Sequence, residues 1–318
     1  YAVSSIAGPL LGGYFTEQLS WRWIFWINLP LGALALWLVN RNLGHLNVRR
    51  HSRFDWKGAG LLITVTTLSL LLLSPETALS AIWLAAGLAL ALLLLILVER
   101  RAQDPILPAH LARLPGYLVS VLLALASQLL MFAVLVYLPL QMQWQKGMGA
   151  SESGLYMVIF MVCITAGAFV GGKLIGRTGY YKRFVVVGFA LAALALWQIH
   201  FDLFANLGLG FAGLGLGLVL PALSVVVQNA LPREDRGIGM SLFNFGRELG
   251  GAVGVAICAV LFHGALPAGT SHNLASLSPA ELAPGFSATY VGMALIASAA
   301  FLITLLALKR HELASIPA

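Results

Sequence analysis

Two adjacent charged residues, Arg247 and Glu248, interrupt a long apolar stretch of the sequence. They lie about ten residues into a helix expected over 237–263, roughly 15 Å from its start, which is near the middle of a bilayer. A charged side chain at that depth costs on the order of 2.5–3.5 kcal/mol. Because a partner or a function must offset that cost, this pair is the first candidate for chemistry.

The carboxylate and the guanidinium suit different tasks. A carboxylate that faces an interior cavity can bind a proton from one side of a membrane and release it to the other. An arginine can instead brace its helix through an ion pair. Because neighbours on a helix point about 100° apart, we do not expect Arg247 and Glu248 to close on each other. The sequence favours proton coupling for Glu248 and a structural role for Arg247, and it leaves the opposite assignments open.

The composition shows what surrounds this pair. The chain has 318 residues, of which 59% are hydrophobic and 10% are charged, whereas soluble domains carry about 25% charged residues. Too few polar side chains are present to cover a compact surface in water, which excludes a soluble globule and a disordered chain. The sequence therefore predicts an all-α, polytopic transmembrane bundle.

Apolar runs separated by polar residues predict ten transmembrane helices. One ends near Tyr14, and the others span 22–40, 56–74, 80–99, 117–143, 153–174, 183–202, 206–230, 237–263 and 287–308. We expect the proline-rich segment 104–116 to lie along the membrane surface as a cytoplasmic linker. We expect the polar stretch 264–286 to form an external loop.

The basic residues give the orientation of the bundle. Sixteen of the 19 Lys and Arg residues fall in one set of alternate loops and two in the other, which places the first set and the C-terminus in the cytoplasm. The net charge of +7 therefore reflects membrane topology, and we expect no nucleic-acid partner. Two cysteines inside apolar stretches provide no metal cluster, and we expect neither a metal nor a cofactor.

A glycine-rich and proline-rich element opens the chain as AGPLLGG, with Gly8, Pro9, Gly12 and Gly13. Glycines four residues apart share a helix face and let a second helix approach closely, and a proline permits a kink. Taken alone, this pattern indicates helix packing. It continues into SWRWIFWINLPLG over 20–32.

Together these two elements resemble the fifth and sixth helices of EmrB/QacA-type transporters, the fourteen-helix drug:proton antiporters of the major facilitator superfamily. The resemblance implies that Gly8, Pro9, Gly12 and Gly13 form the antiporter motif, a kinked helix that restricts leakage during turnover. It continues along the chain: FDWKG over 54–58 resembles the start of the first of two extra helices in fourteen-helix members. GRELGGAVGVA over 246–256 resembles part of the tenth and eleventh helices, as do LGLVLP over 216–221 and VQNALP over 227–232.

The resemblance also implies how the chain is organised. Ten helices that begin with the fifth leave four before Tyr1, so we expect a fragment. Residues 1–40 would hold the last two helices of the N-terminal six-helix half. Residues 41–116 would hold a cytoplasmic loop, the two extra linker helices and the surface linker, and residues 117–318 the C-terminal six-helix half.

The segment GKLIGRTGYYKR over 172–183 resembles the second copy of the family's conserved cytoplasmic loop, with Gly176 where an aspartate is usual. That departure weakens any charge-relay role for this copy. Its cations can hold a loop against lipid headgroups and helix ends. They would act as a topology anchor or as a conformational latch: Lys173, Arg177, Lys182 and Arg183.

A carrier of lipophilic cations needs aromatic faces and adaptable apolar contacts. Aromatic side chains and amides of this kind recur on three predicted helices. The candidates for lining a substrate cavity are Gln128, Phe132, Tyr137, Tyr156, Phe160 and Asn244.

The resemblance implies a secondary active transporter that exports hydrophobic or cationic drugs in exchange for protons across the inner membrane of a bacterium. Its partners would be these substrates, protons and the lipid bilayer, with a periplasmic adaptor protein as a further candidate. A dedicated exporter of one metabolite or antibiotic is an alternative within the same fold. A polytopic membrane enzyme is a third hypothesis, and the scattering of the 12 acidic residues argues against it.

Overall fold

A computed structural model of the chain describes residues 15, 20, 22–43, 55–74, 80–102, 105–114, 116–201, 205–267 and 277–308. Throughout these residues the regular secondary structure is helical, which confirms the predicted all-α class. The predicted first helix, with Gly8, Pro9, Gly12 and Gly13, lies outside the described residues. The chain divides into two compact units, Tyr1–Phe54 and Asp55–Ala318.

Two helices form the described part of the first unit, α1 (Trp23–Trp26) and α2 (Asn28–Leu43). The sequence predicted one continuous helix over 22–40, and a turn at Ile27 divides it. Pro30 accounts for the break, because a proline ring clashes with the carbonyl four residues earlier, here that of Trp26, where α1 ends.

The second unit contains eight long helices and a short 3-10 helix at Leu111–Arg113. The long helices are α3 (Trp56–Leu72), α4 (Ala81–Glu99), α5 (Tyr117–Trp144), α6 (Ala150–Thr178), α7 (Tyr181–His200), α8 (Ala205–Ala230), α9 (Arg236–Gly264) and α10 (Pro279–Ala307). Seven of the described helices, all except the 17-residue α3 in this unit, are long and apolar enough to cross a membrane. They coincide in position with seven of the ten predicted crossings.

Glycines at four-residue intervals let α9 pack closely against α5. A β-carbon added at any of them would contact an α5 residue: Gly246 meets Val121, Gly250 meets Leu125 and Gly254 meets Leu129. Both series rise together, so the two helices run parallel. Absent side chains allow this close approach, which is a common way to join helices inside a membrane.

The glycine-rich helix α8 lies between α6 and α7. A β-carbon on Gly213 would lie 2.6 Å from the Phe160 carbonyl oxygen of α6, and one on Gly215 would lie 2.5 Å from the Gly188 carbonyl oxygen of α7. Gly213 and Gly215 thus allow close contact with two different neighbouring helices. Among the described spanning helices, α8 has the largest share of buried residues.

The prediction of an external loop over 264–286 is wrong at its C-terminal end, because α10 begins at Pro279. Ser278 and Glu281 form a reciprocal capping box at this start: the Glu281 amide donates to Ser278 Oγ at 3.4 Å, and the Ser278 amide donates to Glu281 Oε2 at 2.8 Å. Proline at the first helical position and serine before it are helix-start signals. The sequence analysis had interpreted these residues as a loop.

The prediction of a cytoplasmic loop over 172–183 is also too long. Helix α6 continues to Thr178, and α7 begins at Tyr181. Gly179 ends α6 with a left-handed φ of 70° and a hydrogen bond from its amide to the Ile175 carbonyl, the usual role of glycine at a helix C-terminus. The connection between the helices is therefore a two-residue turn.

The surface linker packs into the unit. Leu111 of the 3-10 helix is buried against α5. Glu99, at the end of α4, accepts a 2.9 Å hydrogen bond from the Leu107 amide. His110 Nε2 lies 3.0 Å from Asp235 Oδ2, in the turn before α9. These contacts attach the linker to the C-terminal end of α4 and to the end of the α5–α9 pair at which both helices begin.

Candidate functional site

Arg247 and Glu248 form a closed pair on α9. Arg247 Nη2 donates a 2.8 Å hydrogen bond to Glu248 Oε1. The expectation that two neighbours about 100° apart would not pair was wrong. Both side chains carry flexible stems that bend toward each other around the helix, so sequence spacing alone underestimated their reach.

The ion pair does not use every polar atom of the two side chains, and the carboxylate is the more exposed of the two groups. The Glu248 side chain is 58% exposed, whereas that of Arg247 is 31% exposed. Arg247 Nε is buried and has no hydrogen-bond partner among the residues that the structure describes. The carboxylate is therefore accessible, while part of the guanidinium faces the interior without an acceptor.

Glu248 belongs to an exposed stripe along α9. The stripe recurs at intervals of three and four residues through Gly237, Ser241, Asn244, Glu248 and Ala252, so its members share one helix face. Asn244 lies one turn from Glu248 on this face. Inside a membrane, a face with an amide and a carboxylate requires water or protein against it. This stripe is therefore the best candidate for the wall of a transport path.

The helices around α9 isolate the pair electrostatically. In the described structure α9 packs against α3, α5, α8 and α10. Their charged residues are Lys57 and Glu281, in the first turns of α3 and α10, and α5 and α8 carry none. Within these helices, Arg247 is thus the one charged neighbour of Glu248 at mid-membrane depth.

Two of the predicted cavity residues lie beside α9. A β-carbon on Gly251 would lie 3.2 Å from the Phe132 ring and 3.5 Å from Gln128 Cγ. Gln128 is 5% exposed, and its Oε1 atom has no hydrogen-bond partner. Because Gly251 lies one turn beyond Arg247, both α5 side chains reach the level just above the pair.

The other predicted cavity residues occupy different environments. Tyr137 is buried, with its ring 6.0 Å from that of Phe262 on α9. Phe160 is fully buried where α6 packs against α8, and Tyr156 is half-buried. Asn244 is exposed on the α9 stripe. Contact between substrate and any of these side chains stays a prediction.

Phe262 was missed by the sequence analysis. Its ring lies 4.9 Å from that of Phe286 in an edge-to-face arrangement and near Tyr137, so it connects α5, α9 and α10. An aromatic residue at the end of an apolar run has no spacing that marks it in sequence. Its role becomes visible only when three helices are assembled.

The four cations of the predicted latch do not form one cluster. Lys182 Nζ donates a 2.9 Å hydrogen bond to the Leu305 carbonyl, near the C-terminal end of α10. The Arg183 guanidinium lies 4.4 Å above the Tyr180 ring. The remaining two are exposed on the last turns of α6: Lys173 and Arg177. Among these four cations, Lys182 is the one that connects two helices within the described part of the chain, and the latch role stays a prediction.

The described part of the chain contains no metal site and no disulfide. Among these residues, no group of three His, Cys, Asp or Glu side chains lies close enough to hold a metal ion. Cys163 and Cys258 are free thiols. The polar stripe of α9 and the Arg247–Glu248 pair remain the features that could bind a charged solute or a proton.

Comparison with known proteins gives the family. The family model of the Major Facilitator Superfamily matches residues 1–255. MFS-type transporter Rv1877 of Mycobacterium tuberculosis is 33% identical over 275 residues, which cover 82% of this chain and 40% of that protein. Multidrug transporter protein MdtP of Bacillus subtilis is 31% identical, covering 83% of this chain and 51% of that protein.

A fungal relative shows the same pattern. Efflux pump aflT of Aspergillus parasiticus is 28% identical over 309 residues, which cover 89% of this chain and 59% of that protein. The chain thus spans about half the length of the curated relatives it matches. It is a multi-pass membrane protein, and it belongs to the Major Facilitator Superfamily, a family of membrane transporters and not of enzymes.

Proposed function

We propose that the chain is part of a secondary active transporter that exports hydrophobic or cationic compounds in exchange for protons across the cytoplasmic membrane of a bacterium, with its C-terminus in the cytoplasm. One observation carries the proposal. Glu248 is an accessible carboxylate near mid-membrane, held 2.8 Å from Arg247 on a polar face of α9. The names of two relatives, a multidrug transporter and an efflux pump, support the direction of transport.

The pair can couple a proton to a cation. When Glu248 is ionised, its charge attracts a cationic compound to the α9 stripe and also holds Arg247. A bound proton removes the negative charge, which weakens both attractions and releases the compound. Because the proton and the cation compete for one carboxylate, alternating access would carry them in opposite directions.

The remaining roles follow the family resemblance. Gly8, Pro9, Gly12 and Gly13 would restrict leakage as the antiporter motif, and the two halves of the intact transporter would rock about a central site. Substrates, protons and lipid are the proposed partners, with a periplasmic adaptor protein as a further candidate.

Transport in everted membrane vesicles tests this function. Vesicles that contain the intact transporter are energised to form a proton gradient, and a panel of fluorescent cationic and neutral drugs is added. We expect uptake of several structurally unrelated compounds, and its collapse when a protonophore removes the gradient. Uptake that survives the protonophore would contradict proton exchange. Uptake of one compound alone would favour the dedicated exporter.

A further inference from the structure

Arg247 has a second potential partner on the neighbouring helix. We propose that Gln128 is the alternative acceptor for Arg247, to which the guanidinium moves when Glu248 binds a proton. The inference rests on the proposed proton-coupling role of Glu248. It gives Gln128 a positioning role in place of the predicted contact with substrate.

Two unsatisfied groups motivate the proposal. Gln128 Oε1 is a buried acceptor without a donor, and Arg247 Nε is a buried donor without an acceptor. Nearly all buried polar groups in folded proteins have a hydrogen-bond partner, so each exception needs an explanation. A donor and an acceptor left unpaired on two packed helices indicate a bond that forms in another state.

The packing of α5 against α9 places the two groups on facing surfaces. Arg247 and Gly251 are four residues apart and therefore lie one turn apart on the same face. A β-carbon on Gly251 would lie 3.5 Å from Gln128 Cγ. One turn before Gln128, α5 carries the small residue Ala124, which is fully buried. At the level of the pair α5 presents Val121 and Leu125 to Gly246 and Gly250, and the Gln128 amide lies about one turn further along α5.

Protonation of Glu248 creates the need for a second partner. The Arg247 charge persists in every state, whereas a protonated Glu248 no longer attracts it. An unpartnered charge in an apolar environment is costly. The Gln128 carbonyl oxygen is a neutral acceptor, and a hydrogen bond to a charged donor is stronger than one between neutral groups.

The ionisable groups on the packed helices offer Arg247 no second charged partner. The remaining ionisable groups of α3, α5, α9 and α10 lie elsewhere along their helices, and α8 carries none. They are Lys57, Tyr117, Tyr137, Arg236, Cys258, His263, Glu281 and Tyr290. In the described structure none of them makes an ion pair or a hydrogen bond with Arg247 or Glu248.

The proposal predicts opposite effects for two substitutions. Gln128→Leu removes the alternative acceptor, so Arg247 stays with Glu248 and the carboxylate binds its proton only at lower pH. Gln128→Glu gives Arg247 a permanent second carboxylate, so Glu248 loses its cation and binds a proton at higher pH. A purely structural role for Gln128 would not lower the pH at which Glu248 binds its proton in Gln128→Leu, whereas any carboxylate placed at position 128 raises that pH by repulsion.

Infrared titration of the purified intact transporter in lipid nanodiscs measures this proton directly. The carbonyl band of protonated Glu248 is identified by its absence in Glu248→Gln. We expect Gln128→Leu to lower the titration midpoint by about one pH unit, a tenfold change in proton affinity. Gln128→Glu, read against its double variant with Glu248→Gln, should raise the midpoint. The matched control is Gln141→Leu, the same change near the C-terminal end of α5, which should leave the midpoint unchanged.

The outcomes separate this inference from the proposed function. If Glu248 titrates with the wild-type midpoint in Gln128→Leu, the inference is overturned and proton binding by Glu248 stands. If no titrating band disappears in Glu248→Gln, proton coupling by Glu248 fails, and the inference fails with it. Should Gln128→Leu not fold, Gln128→Met, which has a similar volume and also lacks the amide acceptor, replaces it, and an unchanged midpoint in Gln128→Met overturns the inference.

Discussion

Gly250 of α9 lies directly against the backbone of Leu125 on α5, so that a β-carbon at position 250 would lie 2.8 Å from the Leu125 α-carbon. Real β-carbons do not approach other atoms so closely. The glycine therefore sets the spacing of the two helices. That spacing brings Arg247 and the Gln128 amide to one interface.

Gly250→Ala should destabilise the transporter, because α9 must move away from α5 to accommodate the methyl group. We expect a loss of about 1–3 kcal/mol in the free energy of unfolding, as for overpacked cores. Thermal unfolding in detergent measures it. Gly172→Ala on α6 is the matched control, since a β-carbon there meets nothing within 4 Å. An equal loss in both variants would contradict the close α5–α9 contact.

The Tyr117 hydroxyl donates a buried 2.9 Å hydrogen bond to the Gly239 carbonyl and so joins the start of α5 to α9. Tyr117→Phe should cost about 1 kcal/mol, because the carbonyl loses its second partner in a buried site. The same unfolding assay checks this. Tyr180→Phe, which removes a hydroxyl from an exposed ring, should have no effect. An unchanged free energy of unfolding in Tyr117→Phe would contradict a stabilising role for this hydrogen bond.

Ser278 caps α10 in the region that the sequence analysis assigned to a loop. Ser278→Ala removes the acceptor for the Glu281 amide and the donor to the Glu281 carboxylate. We expect about fivefold faster amide exchange over the first turn of α10, as for loss of an N-cap. Hydrogen exchange with mass spectrometry measures this. Ser298→Ala, inside the same helix, should leave that peptide unchanged.

Lys182 holds the C-terminal end of α10 through the Leu305 carbonyl. Lys182→Gln removes a positive charge from a helix C-terminus, where cations are favourable. Amide exchange over residues 300–308 should become about twofold faster. Lys173→Gln removes an exposed lysine from α6 and serves as the control. Identical exchange in the two variants would remove Lys182 from any role as a latch.

Much of this fold could be predicted from the sequence. Apolar runs and alternating charge located seven of the spanning helices, six of them within a few residues, because both signals come from the bilayer and do not require tertiary contacts. The capping signals at Ser278 and Pro279 were present but were interpreted as loop residues. Gly179 was placed in a loop between two helices, and the turn it forms is shorter than expected.

The site was harder to predict, because its geometry depends on side-chain conformation and on neighbouring helices. Arg247 and Glu248 were selected for their depth, and that selection needed only residue counting. Their closure on each other depends on rotamers that sequence spacing does not give. The unpaired state of Gln128 depends on what α9 presents to α5, which no single segment of sequence contains.

The central claim is that Glu248 carries the exchanged proton. Everted vesicles with the intact transporter allow drug uptake to be measured from pH 5.5 to 8.5 in wild type, Glu248→Gln and the control Glu234→Gln, which neutralises an exposed carboxylate in the turn before α9. Expression levels are matched by immunoblot. We predict that Glu248→Gln is expressed normally and loses the pH dependence of uptake, while Glu234→Gln retains it. Proton-driven uptake with an unchanged pH profile in Glu248→Gln would contradict the mechanism.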